Sequence, residues 1–127
     1  MRELKFRYVF KRKDDGHIYI IIVPVESLEQ GYGQVFSMLK NTEWLLIARD
    51  QFIGRNDKNG NEIYENDIVK ADIEPNENVI IIWGFAGWEW TWRKERTGSM
   101  PMECIGNCEV IGNIHENPEL LEVPHDS

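Results

Sequence analysis

The chain has 127 residues, 42% of them hydrophobic and 28% charged, and a formal charge of −8 at pH 7. This predicts a single folded domain with its own apolar core and excludes a disordered chain, which lacks the apolar surface to offset ordering entropy. An acidic body opposes general binding to phosphate backbones, no apolar run approaches the ~20 residues of a membrane-crossing helix, and no signal-peptide core stands near Met1, so a soluble cytoplasmic protein is expected.

In chain order, Leu4, Phe6, Tyr8 and Phe10 alternate with Lys5, Arg7, Val9 and Lys11. A pleated strand sets the first group on a core and the second in water. Asp14-Asp15-Gly16 then suits a hairpin turn into an isoleucine-rich strand over residues 17–23. The same opening stretch is basic, with Arg2, Lys5, Arg7, Lys11, Arg12 and Lys13 against Glu3, which puts a basic strip on an otherwise acidic chain. Pro24 and Gly31 bracket a short helix over residues 24–30. Val35, Met38 and Leu39 mark another helical turn, and residues 44–48 read as a strand.

Asn59-Gly60 is the strongest turn dipeptide of the chain and centres an exposed loop between Ile53 and Ile63. Asn66 suits a left-handed entry into a strand over residues 68–73. Residues 79–83 and 88–93 form a hairpin around Gly84-Phe85-Ala86-Gly87, residues 93–101 look irregular, and residues 109–115 make a last strand before a turn that starts at Asn117-Pro118. Many short strands with few and short helices favour a mainly β class, a small barrel or roll, over a parallel α/β sheet.

The search for chemistry is mostly one of exclusion. Cys104 and Cys108 have a spacing that suits half of a zinc site, but His115 and His125 lie too far apart to complete a paired set, and two plain thiols in a reducing compartment account for them. Asp57, Asn59 and Asn61 imitate the start of a calcium loop, yet Glu62 and Ile68 stand where its glycine and its bidentate glutamate belong, so a well-solvated turn is expected instead. Ser27, Ser37 and Ser99 lack a nucleophile-elbow context, and Gly31-Tyr32-Gly33 has no third glycine for a dinucleotide loop. No metal, cofactor or catalytic residue is therefore assigned, and no enzyme is expected.

The most unusual segment is the tryptophan-rich hairpin. In a strand Trp88, Trp90 and Trp92 share a face, with Arg93, Lys94 and Arg96 close by in sequence. These six are the candidate binding residues, as an aromatic platform with charge beside it; burial of the same indoles in a core or between subunits is the competing expectation. A macromolecular partner, protein before nucleic acid, follows as the expected ligand, nucleic acid being the alternative through the basic strip and this hairpin. Exposed strand edges and surplus aromatics also leave room for a second copy of the chain.

Taken together, residues 2–7, the central run from Ile53 through Gly54-Arg55-Asn56-Asp57-Lys58-Asn59-Gly60-Asn61-Glu62 to Lys70, and the closing run from Val110 through Ile111-Gly112-Asn113-Ile114-His115 to Leu121 resemble the YopX family of phages and prophages. The resemblance implies one YopX-like domain over residues 1–127, with an N-terminal hairpin and short helices over 1–50 and an SH3-like barrel core over 51–123. It implies a phage accessory protein and supplies no activity or site residue. The chain departs from the usual pattern at Asn66, where glycine is common, and at His115, where tyrosine is.

Overall fold

A computed structural model describes residues 4–26, 33–71, 78–84, 87–92, 99–101 and 107–121. The class is mainly β with few, short helices. The chain divides into two units, residues 1–54 and 55–127.

In the first unit, strands β1 (Lys5–Arg12), β2 (Ile18–Pro24) and β3 (Trp44–Asn56) form an antiparallel sheet with β1 in the middle. The β1–β2 turn runs as the sequence predicts, with Gly16 at φ 76° and the Asp15 carboxylate accepting the His17 N–H at 2.9 Å. Helix α1 (Gly33–Lys40) covers one face. Its Val35 is buried and its Met38 half-buried against Tyr8, Phe10, Ile21 and Val23, while Leu39 lies exposed. The strand read over residues 44–48 in fact runs on to Asn56 and crosses the unit boundary at Gly54. Pro24 is the last residue of β2, opposite Lys5 at the sheet edge, and Val25 and Glu26 directly after it are helical, where the sequence predicts a helix to begin. Most of the expected helix over 24–30 lies outside the described residues.

The second face of β1 departs from expectation. Arg7 and Val9 are buried, not solvated. Arg7 stands directly across from Asp50 in the β1–β3 register, and Asp50 Oδ2 accepts from Nε at 3.1 Å and from Nη2 at 2.7 Å. Their side chains are only 7% and 2% exposed. A guanidinium is tolerated at such depth because a carboxylate neutralises it and accepts its hydrogen bonds.

In the second unit the end of β3 leads to β4 (Glu62–Tyr64), next to β3 in the strand order, and then to a five-stranded antiparallel sheet in the order β8-β7-β6-β5-β9. Its strands are β5 (Asp67–Ala71), β6 (Asn78–Gly84), β7 (Gly87–Trp92), β8 (Ser99–Pro101) and β9 (Cys108–Asn113). Both faces of this sheet are buried at its centre. Val69, Val79, Ile81 and Trp90 lie on one face. On the other, Ile68 and Ile80 pack with Leu121 of the 3-10 turn Pro118–Leu121, beside half-buried Ile82, Ile111 and Ile114. Residues 99–101, expected to be irregular, pair with β7. The hairpin pairing reaches Gly84 opposite Gly87, so these two glycines belong to the paired strands and not to the four-residue loop expected.

Asn66 is the one non-glycine residue with positive φ among those described, at 69°. That conformation lets its N–H donate to the Ile81 carbonyl at 2.8 Å while its own carbonyl accepts from Ile114 at 3.1 Å, joining the turn to β6 and to the end of β9. Gly112 is needed for space. A Cβ there would lie 2.6 Å from Asn117 Oδ1 and 2.9 Å from Asn117 Cβ.

Two outcomes follow. Asp50→Ala leaves the Arg7 charge buried without this carboxylate and should cost about 3–5 kcal/mol in urea unfolding, most of it recovered in the Arg7→Leu/Asp50→Leu double variant. Asn66→Ala should lose about 1 kcal/mol in the same measurement, whereas Asn66→Gly should not, because glycine has no β-carbon to strain a left-handed position and asparagine offsets that strain through its short polar side chain, which alanine lacks.

Candidate functional site

Two features stand out in the second unit: a polar joint built from the central and closing sequence blocks of the family resemblance, and the tryptophan end of the β6–β7 hairpin.

The joint begins at Asp57, which the sequence places in a well-solvated loop but which is 7% exposed. Its Oδ1 accepts the N–H groups of Asn59 at 2.9 Å and Asn61 at 2.8 Å, which fixes the turn, and Gly60 takes φ 85° within it. Its Oδ2 accepts the Val110 N–H at 2.9 Å, and the neighbouring Lys58 N–H donates to the Cys108 carbonyl at 3.0 Å. The loop thus lies along the outer edge of β9. Burial by itself pushes the Asp57 carboxyl up, but the N–H donors of Val110, Asn61 and Asn59, with the Asn61 side chain, outweigh it and hold the group below its ordinary value. With these donors the carboxylate is committed to the main chain, which is why the aspartate-asparagine pattern here is a structural turn. Asp67 works the same way nearby, its Oδ2 accepting the Tyr64 N–H at 2.8 Å. Asn113 closes the far end, its Oδ1 accepting from His115 at 3.0 Å and Glu116 at 2.9 Å.

Cys108 is a free, buried thiol. Burial pushes its pKa up and Asp57 adds to this, against an opposing pull from Arg55, so the nucleophilic thiolate is disfavoured at neutral pH. Cys104 and His125, offered as metal ligands with it, lie outside the described residues. Among the described residues no group of three or more His, Cys, Asp or Glu side chains is placed to hold a metal ion. No helix among them is long and apolar enough to cross a membrane.

On the hairpin, the structure separates the indoles that the sequence groups together. Trp90 is 3% exposed and packs in the sheet, opposite Ile81. Trp88 is half-buried. Trp92 stands opposite Val79 in the register; its side chain, with Arg93, Lys94 and Arg96, lies outside the described residues. Among the described residues the exposed indole is one that the sequence reading did not single out. Trp83, opposite Trp88, is 63% exposed, and the two rings meet edge to face at 4.8 Å between centroids and 76° between planes. Trp83, Ile81 and Val79 share a face with Trp88 and Trp90, and that face passes from buried to exposed at the hairpin end. The cross-strand register across Gly84-Phe85-Ala86-Gly87 was the signal that could have identified Trp83.

Of the basic strip, Arg7 is held by Asp50 inside the first unit. Arg12 donates to Asp15 at 3.0 and 2.6 Å, and its guanidinium lies 5.4 Å from the centroid of the Trp44 ring. The Lys5 ammonium lies 5.1 Å from the centroid of Phe52. Lys11 and Lys13 are exposed, and Arg2 is outside the described residues.

The pattern of the YopX protein family matches residues 14–122. The chain belongs to the YopX family. No curated protein matches it. Among solved structures it is similar to the crystal structure of protein EF1440 from Enterococcus faecalis, with 21% identity, a TM-score of 0.50, and coverage of 96% of this chain and 100% of that one. At this identity the likeness is one of fold.

Asp57→Asn tests the joint. The amide can still accept from Asn59 and Asn61, but its NH2 then faces the Val110 N–H, two donors together, so stability at pH 7 should fall by about 1–3 kcal/mol. Because the folded pKa lies below the ordinary 3.8, the carboxylate's contribution is fully present above that value and is lost as pH falls through the folded one. Denaturant unfolding of the two proteins should therefore differ most at neutral pH and converge in acid; a gap that stays constant across that range would assign Asp57 no charge-dependent role.

Proposed function

We propose that this YopX-family chain is a non-enzymatic phage or prophage accessory protein that binds a protein partner through the Trp83 end of the β6–β7 hairpin. The observation that carries this is Trp83, 63% exposed and held edge to face by Trp88. A cross-strand aromatic pair contributes about 0.2–1 kcal/mol to a hairpin, which accounts for the pairing and not for leaving an indole in water. A rigid indole with a preset orientation is what the centre of a protein interface uses, since it covers large area with little conformational entropy to lose.

A protein fits better than a nucleic acid. The chain carries −8, and Arg7 and Arg12, two cations of the basic strip, are engaged by Asp50 and Asp15. We read the second unit as an SH3-like roll, because β5 to β8 follow one another as a meander and β9 returns beside β5. Such rolls serve as scaffolds for many docking surfaces, so fold alone names no partner. A chain with two cysteines, one of them a free buried thiol, suits the reducing cytoplasm of the bacterial host.

Immobilised wild-type chain should retain a specific protein from lysate of infected or lysogenic cells, and Trp83→Ala should lose at least about tenfold of that capture, a typical effect at an interface centre. Unchanged circular dichroism and a drop in acrylamide-quenchable fluorescence would locate the loss in the exposed indole. Equal capture by the variant, repeated absence of any specific protein, or tight binding of oligonucleotides in low-salt gel shifts would overturn the proposal.

A further inference from the structure

The two sheets present edges at β2, β4, β8 and β9, and three of these are blunted. The outer side of β9 is taken by the Asp57 loop, through the bonds to Val110 and Cys108. Strands β4 and β8 have three residues each, and β8 ends in Pro101. Short strands, covering loops and prolines are the usual defences against edge-to-edge pairing. Strand β2 has seven residues, Ile18–Pro24, no charged side chain and an unbroken register against β1.

Its exposed groups can be assigned from the pairing. The N–H of Val25 donates to Leu4 and the N–H of Arg12 to His17, so residues 17, 19, 21, 23 and 25 direct their main-chain groups at β1. Ile18, Ile20, Ile22 and Pro24 direct theirs outward. Pro24 fits this alternation, its missing N–H falling on the side where β1 needs none. Among the described residues no strand lies on that side. The side chains of Ile18, Ile20 and Ile22 share one face, and Ile22 is 48% exposed.

We propose that two copies of the chain join along β2, antiparallel about a two-fold axis at Ile21, extending the first sheet across both molecules. In that register Ile20 stands opposite Ile22 of the second copy, Tyr19 opposite Val23 and Ile18 opposite Pro24. Every facing pair is apolar. The outward groups supply about six main-chain hydrogen bonds, in the alternating pattern of an antiparallel ladder. A second copy is the occupant that this strand specifies. Two chains of charge −8 repel over most of their surface, and β2 is an uncharged, self-complementary strip on which they meet with no like charges opposed. Pro24 ends the ladder at both sides of the axis, which limits it to one closed pair.

Light scattering on the full chain should give twice its 14.9 kDa mass. Ile22→Lys puts an ammonium against Ile20 of the second copy and should weaken the dimer by at least about tenfold. Its circular dichroism should be unchanged, because the side chain is exposed in the single chain. Amide hydrogen exchange of the wild type supplies a test that needs no variant: the N–H groups of Ile20 and Ile22 should become protected as concentration rises. A monomer at every concentration overturns the proposal. So does a dimer that Ile22→Lys leaves intact, or one in which those two amides exchange as freely as loop amides.

Discussion

The Asp57 carboxylate accepts three main-chain N–H groups, two from its own turn and one from Val110, and the order of the second unit follows from that arrangement. With the turn fixed, Lys58 reaches the Cys108 carbonyl and the outer side of β9 is covered. With β9 held, Asn66 bridges Ile81 and Ile114, and Asp67 pairs opposite Asn113. The central and closing stretches of sequence that carry the family resemblance are therefore contact points of one polar joint, brought together from positions 57, 66, 67, 110 and 113. Buried acceptors and donors must find partners, and this joint satisfies them with short side chains where a larger domain would use more core.

The sequence shows the parts of this fold that depend on neighbours along the chain. Alternation marked β1, Asp-Gly and Asn-Gly marked two turns, and Asn66 announced its left-handed backbone through the tolerance of asparagine for it. What it does not show depends on partners far away. Arg7 reads as a solvated residue because its counter-charge, Asp50, is 43 positions on. Asp57 reads as an exposed loop residue because the N–H that pulls it inward belongs to Val110, 53 positions on. Strand β3 looks as if it stops at Ala48 because Arg49 and Asp50 break its apolar run, although Asp50 is buried by the same ion pair. The short β8 has too few residues to carry a period at all.

The tryptophan segment was legible as unusual but not in its details. Three indoles on one strand face suggest a platform, yet the centre of a small domain takes large side chains first, and Trp90 is absorbed there. Burial depends on position along the strand as well as on face. Ile81 and Val79 are covered, whereas Trp83, on the same face two residues on from Ile81, stands where the sheet runs out. The proposed docking indole is thus defined by the end of the core, which only the three-dimensional register reveals.

Charge and edges complete the picture. The N-terminal basic strip looks like a ligand-binding surface in one dimension, but Arg7 balances a buried carboxylate and Arg12 clamps the hairpin turn through Asp15, where hydrogen bonding to Arg12 and to the His17 N–H lowers the Asp15 pKa. Cations used in this way are withdrawn from phosphate recognition, and the acidic surplus is left to face solvent. On such a surface, contact with another macromolecule is favoured where charge is absent. The two proposed sites are of different kinds: an indole that presents a side chain, and an isoleucine strand that presents a backbone. They lie in different units of the chain, so the proposed partner binding and the proposed self-pairing call on different residues.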